Sequence, residues 1–150
     1  MAKAGYSAAT GAAVATGTAL KTILSVIAPA QFGIDLKKIH LGFDGVTASA
    51  VPVLVELWSA TTDGTGTAGT VVQTYGRTIT PGFTTKYNYT AEPTTLTLYD
   101  SWLLTPTGGL VFYDYPLGDT PDTAVSTGFV LRCTAPAIVN VRASFTFERC

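Results

Sequence analysis

The chain has 150 residues, which suits one domain, and a net charge of −1. Charged residues make up 13% of it, about half of the usual share of roughly 25%. Nucleic-acid binding needs a clustered basic surface, and Lys37-Lys38 is the only adjacent basic pair, so no nucleic-acid partner is expected.

No apolar run approaches the roughly 18 residues that span a membrane, and the N-terminus lacks the apolar core of a signal peptide. These features predict synthesis in the cytoplasm without export. The mean hydropathy of +0.32 is high for a soluble monomer. Two explanations stay open: apolar surface covered by further copies or a partner, or a score raised by small Ala and Gly residues.

Residues 2–19 are almost entirely Ala, Gly, Thr and Ser, with Lys3, Tyr6 and Val14 as exceptions. Side chains this small do not bury enough apolar area to fold alone. We therefore predict an N-terminal arm at 1–19, outside a single domain at 20–150. The arm is either a mobile tail or a segment that orders against a neighbouring subunit.

The first three strands are predicted at 20–28, where both faces carry apolar residues, and at 33–43 and 50–60, where apolar residues alternate. The third strand is the clearest, because its valines at alternate positions share one face. Pro52 has no amide donor, so it is expected near the start of that strand or at a sheet edge.

The middle of the chain is less regular. The Gly- and Thr-rich segment 61–70 is predicted to be an exposed loop. Strands are predicted at 71–80 and 84–91. The segment 96–105 has helical spacing but is short, so both a turn of helix and a bent strand remain open.

Three further strands are predicted at 110–115, 125–134 and 138–148. The last alternates most cleanly, which indicates one buried and one solvent-facing side. About eight strands, with turn residues every 8–12 positions, predict an all-β antiparallel β-sandwich of jelly-roll type. The 26 threonines are β-branched and agree with this class.

Few residues have the chemistry of catalysis or metal binding. His40 is the only histidine and lies within a predicted strand, so no catalytic triad or zinc site is expected. Glu56 and Glu148 fit ordinary outward strand positions better than a glycosidase pair. The carboxylates of the 114–122 loop lack regular calcium-ligand spacing. We expect no enzymatic activity, no cofactor and no metal.

Aromatic residues are the remaining candidates for a function. Their rings suit sugar stacking, core filling or subunit contact. The possible intersubunit contacts are Tyr6, Val14, Trp58, Trp102, Tyr113 and Tyr115.

The two cysteines are not expected to bond to each other within the chain. If 135–137 is a hairpin turn, Cys133 pairs near Val139, and Cys150 then lies roughly 35 Å further along at about 3.3 Å per residue. A disulfide tolerates only about 7 Å between Cα atoms. Cys133 is predicted to be an inert core thiol, and Cys150 to be free or to bridge two subunits.

Several segments resemble one family. They are KTILSVIAP at 21–29, LGFDGVTASAVPVLVEL at 41–57, LTPTGGL at 104–110, YPLG at 115–118 and TAPAIVNVRASFTFE at 134–148. Together they look like the small virion structural proteins of tailed bacteriophages, over about residues 20–148.

The resemblance implies a jelly-roll subunit that decorates or cements the head, often as a trimer. The implied partners are further copies of the chain, the phage major capsid protein or other virion proteins. The implied location is the virion, after synthesis in the bacterial cytoplasm. The alternatives are a collar, tail or fibre component and, from another class, a carbohydrate-binding β-sandwich module.

Overall fold

The computed structural model of the chain describes residues 3–44 and 51–150. All of the regular secondary structure within these residues is β-strand, and the strands form two antiparallel sheets. The predicted all-β sandwich is therefore confirmed. The thirteen strands of the described residues are β1 (Gly5–Ala9), β2 (Val14–Thr16), β3 (Lys21–Ile27), β4 (Ile34–Asp44), β5 (Val53–Ala60), β6 (Thr65–Ala68), β7 (Val71–Tyr75), β8 (Thr84–Ala91), β9 (Leu96–Leu104), β10 (Val111–Asp114), β11 (Asp122–Thr123), β12 (Gly128–Thr134) and β13 (Val139–Arg149).

The order of the strands is that of a jelly roll. The seven-stranded sheet runs β10-β4-β13-β1-β7, with β11 also beside β4 and β2 also beside β13; the six-stranded sheet runs β6-β8-β3-β12-β5-β9. Four antiparallel pairs nest from the chain ends inward: β1·β13, β3·β12, β4·β10 and β5·β9. Successive pairs alternate between the sheets, so a folded ribbon wraps around one core. These eight strands form a jelly roll, the type of sandwich that the sequence predicted, although one of them, β1, belongs to the segment predicted as an arm.

The segment from β6 to β8 is inserted between the two strands of the innermost pair. Its β7 pairs with β1 and its β8 pairs with β3, so the insertion extends both sheets on the same side. On the opposite side the sheets end in β9 and β10, beyond which no strand of the described chain follows.

The core lies between the two sheets. Alternate residues of β13 are buried while those between them face outward, as predicted from the sequence. At one end of the core, Tyr6, Phe83 and Phe147 contact one another, with ring centroids 5.1–5.7 Å apart. Edge-to-face and offset arrangements such as these add to the stability gained from burial alone.

The predicted N-terminal arm is wrong for the segment that forms β1 and β2. These strands lie end to end along β13, and β1 also pairs with β7. Tyr6 and Val14 are only 2% and 1% exposed, so neither is available for contact with another subunit. Backbone hydrogen bonds on both sides of β1 hold a segment that has little apolar side chain of its own.

Other differences are local. The segment 96–105, left open between helix and strand, forms β9, with a register irregularity opposite Leu57 and Trp58. The predicted 61–70 loop contains β6. Pro52 directly precedes β5, as expected, whereas the predicted first residue of that strand, Ala50, lies outside the described residues.

Within residues 3–44 and 51–150, no helix is long and apolar enough to cross a membrane.

Candidate subunit-contact surface

Exposed apolar side chains are concentrated on the side of the sandwich that ends in β9 and β10. Of the twelve large exposed hydrophobic residues in the described chain, eight lie between positions 98 and 125. We call residues 96–125 the β9–β10 edge. The eight are Leu98, Tyr99, Leu103, Leu110, Phe112, Tyr113, Leu117 and Val125. A concentration of this kind is typical of a surface that contacts another molecule.

Three of the predicted contact residues meet at this edge. Trp102 of β9 stacks on Tyr113 of β10, with ring centroids 5.9 Å apart and planes 13° apart. Tyr115 packs edge-on against Tyr113 at 4.7 Å. Burial, and after it the neighbouring Tyr113 and Asp100, raises the pKa of Tyr115. The cluster closes the gap between the sheets and leaves Tyr113 exposed.

The outward side of the same edge is also apolar. Phe112 packs edge-on against the ring of His40, with centroids 4.4 Å apart, and Leu110 lies over Gly42. His40 is in the middle of β4, as predicted, and its buried Nε2 has no hydrogen-bond partner among the described residues. Ser144 lies opposite it on β13. The imidazole of His40 therefore packs against the ring of Phe112 on this face.

The β9–β10 edge is acidic as well as apolar. Residues 93–131 include four aspartates, Asp100, Asp114, Asp119 and Asp122, and no Lys or Arg. Asp114 pairs with Lys38 at 3.5 Å. The other three aspartates form no ion pair within residues 3–44 and 51–150. The short strand β11 lies in line with β10 along β4, which places Asp122 on this edge.

Trp58, another predicted contact residue, is engaged within its own subunit. Its indole Nε1 donates a hydrogen bond to Glu56 at 3.0 Å, and the guanidinium of Arg132 lies 5.6 Å from the ring centroid. Arg132 in turn reaches Glu92 at 3.5 Å. Trp58 lies on β5, opposite Leu98 of the edge strand β9, but its ring is held over the six-stranded sheet by Glu56 and Arg132.

The two glutamates considered as a possible catalytic pair lie on different sheets. Glu56 belongs to β5, whereas Glu148 belongs to β13. Glu148 accepts a hydrogen bond from the Tyr75 hydroxyl and pairs with Lys3 at 3.3 Å and Lys37 at 3.5 Å. Glu148 is thus the centre of an ion-pair cluster that joins β4, β7 and β13.

The pKa values in this cluster follow from its contacts. Burial alone would raise the pKa of Glu148, but the Tyr75 hydrogen bond and the two lysines lower it below the ordinary value. Burial, and then the carboxylate of Glu148, raises the pKa of Tyr75 to about 12. Burial opposes the charge on Lys37, yet Asp35, 2.6 Å away, and Glu148 raise its pKa.

A β-bulge at Lys37 makes room for this cluster. Thr146 of β13 is opposite Lys38, but the next residue, Phe147, is opposite Leu36, which leaves Lys37 as the extra residue. Lys37 therefore turns to Glu148 while Lys38 turns to Asp114. The pair lies within β4 and is engaged in ion pairs. Sequence reasoning missed Tyr75 and Lys3 as partners because no pattern in the sequence signals contacts this distant.

An open cavity of about 350 Å³ lies beside the cluster, on the outer side of the seven-stranded sheet. Tyr75 and Tyr115 line it together with the charged groups of Lys37, Lys38 and Glu148. Leu117 and Thr120 of the loop after β10 also line it. The cavity therefore combines two aromatic rings with convergent polar groups.

Neither cysteine forms a disulfide within the chain. Cys133 is fully buried in β12, as predicted, and burial raises its pKa, with a smaller contribution from Glu56. Cys150 is exposed after β13, where its backbone exchanges hydrogen bonds of 2.8 and 3.2 Å with Gly33. Partial burial and the nearby Asp122 and Asp35 raise its pKa as well.

Within the described residues, no group of three or more His, Cys, Asp or Glu side chains is arranged to hold a metal ion. Of the carboxylates in the 114–122 loop, Asp114 is paired with Lys38 and Asp122 lies on β11.

No family model matches the chain, and no curated protein matches it. Among solved structures, the chain is similar to one described as "Structure of infectious bursal disease virus Gx strain", at 10% identity and a TM-score of 0.15. That match covers 97% of this chain and 39% of the other, so the chain spans about two fifths of its length. A TM-score this low carries no argument about fold or function.

Proposed function

We propose that the chain is a non-enzymatic structural protein of a bacteriophage virion, which decorates or cements the capsid. The observation that carries this proposal is the β9–β10 edge, where exposed apolar and aromatic side chains lie on a single jelly roll. Jelly rolls are common in viral capsid and lectin domains. The segments that resemble small virion proteins support the same assignment.

In this role the chain binds copies of itself, with a trimer as the favoured form, and the major capsid protein or another virion protein. Contacts repeated over a lattice do not need to be strong individually, because each bound copy raises the effective concentration of the next. A subunit that binds only the mature shell also stabilises that shell by mass action.

Immunogold electron microscopy tests the proposal. Antibody raised against the purified chain is applied to intact particles released by bacteria that carry its gene. We expect gold on the heads, and no gold on particles from a strain in which the gene is deleted. Particles without label, together with chain recovered only in the particle-free supernatant, would refute the virion function.

The same images distinguish the first alternative. Gold restricted to the neck, tail or fibres would replace the capsid role by that of a collar, tail or fibre component. The proposed self-association would then serve a different part of the particle.

A carbohydrate-binding module is the second candidate, supported by the cavity of about 350 Å³ lined by Tyr75 and Tyr115. Aromatic rings beside convergent polar groups are features that saccharide sites use. A glycan array probed with the wild-type chain and the Tyr115→Ala variant tests it. Saturable binding that the variant loses while still folded would favour this candidate, and the absence of binding to any glycan would exclude it.

A further inference from the structure

The two opposite sides of the sandwich differ in charge. The β9–β10 edge has three aspartates without an ion-pair partner among the described residues. On the other side, residues 64–91 include Arg77 and Lys86 and no carboxylate. Lys86 is already paired with Asp63 at 2.9 Å, whereas Arg77 is exposed and forms no ion pair in the part of the chain that the structure describes.

The side that carries Arg77 is also apolar. We call residues 71–79 the β7 edge. Val72 is 54% exposed and belongs to β7, the last strand of the seven-stranded sheet, whereas the ring of Tyr75 turns back over Gly5 to Glu148. No described strand pairs with the outer side of β7. The seven-stranded sheet thus ends in an acidic apolar edge on one side and a basic apolar edge on the other.

We propose that the β9–β10 edge of one copy docks against the β7 edge of a second copy. This inference rests on the self-association in the proposed function and identifies the surfaces that produce it. Charge complementarity is the reason to choose a second copy as the occupant, because opposite charges on the two edges attract and set their relative orientation.

The same charges argue against a two-fold contact. If two β9–β10 edges faced each other, their unpaired aspartates would be brought together, and like charges at an interface are unfavourable. Contact between two different edges is heterologous, and heterologous contacts produce closed rings when the rotation closes. A rotation that closes after three copies gives a ring without a third surface, whereas one that does not close gives an open filament.

Charge reversal with rescue tests the proposal, with native mass from sedimentation velocity in reductant as the readout. The wild-type chain is expected to sediment as a multiple of 15.6 kDa, with a trimer at three times that mass. Arg77→Glu alone, or Asp119→Lys with Asp122→Lys, should reduce the mass to that of one chain. All three substitutions together should restore the larger species.

Arg142→Glu is the matched control. Arg142 is an exposed arginine of the same sheet on β13, which is separated from each edge strand by one other strand. The control should keep the native mass of the wild type. Rising NaCl concentration should shift the wild type toward the single chain, because exposed charges are screened. Thermal unfolding in dilute solution establishes that each variant is folded.

The outcomes separate this inference from the proposed function. An oligomer whose mass is unchanged in both charge-reversal variants, or a wild-type chain that sediments as a monomer at every concentration, overturns the docking of the two edges. Gold on the heads would in either case leave the virion function standing. If assembly follows the charge pattern but the protein is absent from particles, the virion function is refuted and the edge contact stands.

Discussion

At the scale of single residues, Glu148 is a side chain on which three long-range polar contacts converge. It connects Tyr75, Lys3 and Lys37, which are far apart in sequence, and it is 8% exposed. A buried carboxylate is stabilising only while its partners satisfy it. Removal of the Glu148 carboxylate would leave Lys37 paired with Asp35.

We expect Glu148→Gln to lower the free energy of unfolding at neutral pH by about 1.5–3 kcal/mol, the range for hydrogen bonds to a charged group. Urea unfolding at pH 7 measures this change. The matched control is Asp44→Asn, because Asp44 is exposed and forms no ion pair within the described residues; it should stay within about 0.5 kcal/mol of the wild type.

The same glutamate predicts a pH dependence. Its pKa is lower in the folded chain than in the unfolded chain, so its contribution is complete above the unfolded value of 4.5 and is lost as the pH falls through the folded value. Below pH 4.5 the wild type should therefore lose stability more steeply than Glu148→Gln. Equal slopes for the two proteins in urea unfolding at pH 3–5 would contradict the lowered pKa.

The two cysteines should differ sharply in reactivity. A thiol-specific reagent should modify one thiol per folded chain and two in urea, because Cys133 is fully buried and Cys150 is exposed. Cys150→Ser should abolish the reaction of the folded chain, whereas Cys133→Ser should leave it intact if the variant folds. Two reactive thiols in the folded wild type would contradict the burial of Cys133.

At the scale of elements, β1 is the strand for which the structure differs most from the sequence-based prediction. All five of its residues pair with β13 on one side, and four of them pair with β7 on the other. The ring of Tyr75 lies so close to Gly5 that an added Cβ would be 2.1 Å from Cε1. The small residue at this position therefore leaves room for the Tyr75 ring, although in the sequence it resembles the composition of a mobile tail.

Two substitutions at Tyr6 test the place of β1 in the core. Tyr6→Ala should lower the free energy of unfolding by about 3–5 kcal/mol, as expected for a fully buried aromatic residue. Tyr6→Phe should cost less than about 1 kcal/mol or stabilise, because the buried hydroxyl has no hydrogen-bond partner among the described residues. Denaturant unfolding measures both, and a small effect of Tyr6→Ala would support the mobile arm instead.

At the scale of the whole molecule, apolar exposure and assembly are connected. Leu103 of β9 is 64% exposed, and Ile138, in the turn before β13, is 71% exposed. The two residues are similar in size and exposure but lie on different parts of the surface. They therefore separate a specific contact from a general effect of hydrophobicity.

We expect Leu103→Lys to reduce self-association, with the free energy of unfolding of the single chain unchanged to within about 0.5 kcal/mol. Ile138→Lys should leave self-association as in the wild type. Sedimentation velocity over a concentration series measures both variants. A loss of self-association in Ile138→Lys alone would place the contact away from the β9–β10 edge.

The β-sandwich class and most of the strands could be predicted from the sequence. Alternation in 84–91 and 138–148 matches β8 and β13 to within one residue, because in those strands one face is buried and the other is wet. The burial of Cys133 and the position of His40 follow from the same period of two. These features depend on neighbouring positions in the chain, and sequence patterns record them directly.

Only the tertiary structure determined which strands pair and what the surface therefore presents. Long-range pairing places β1 on β13 and brings Trp102 together with Tyr113 and Tyr115. It also places Glu56 and Glu148 on different sheets. Small residues in β1 are held by backbone hydrogen bonds, which leave no hydrophobic period in the sequence. The sequence alone thus determined local strand character, whereas long-range pairing determined the jelly roll and the two oppositely charged edges.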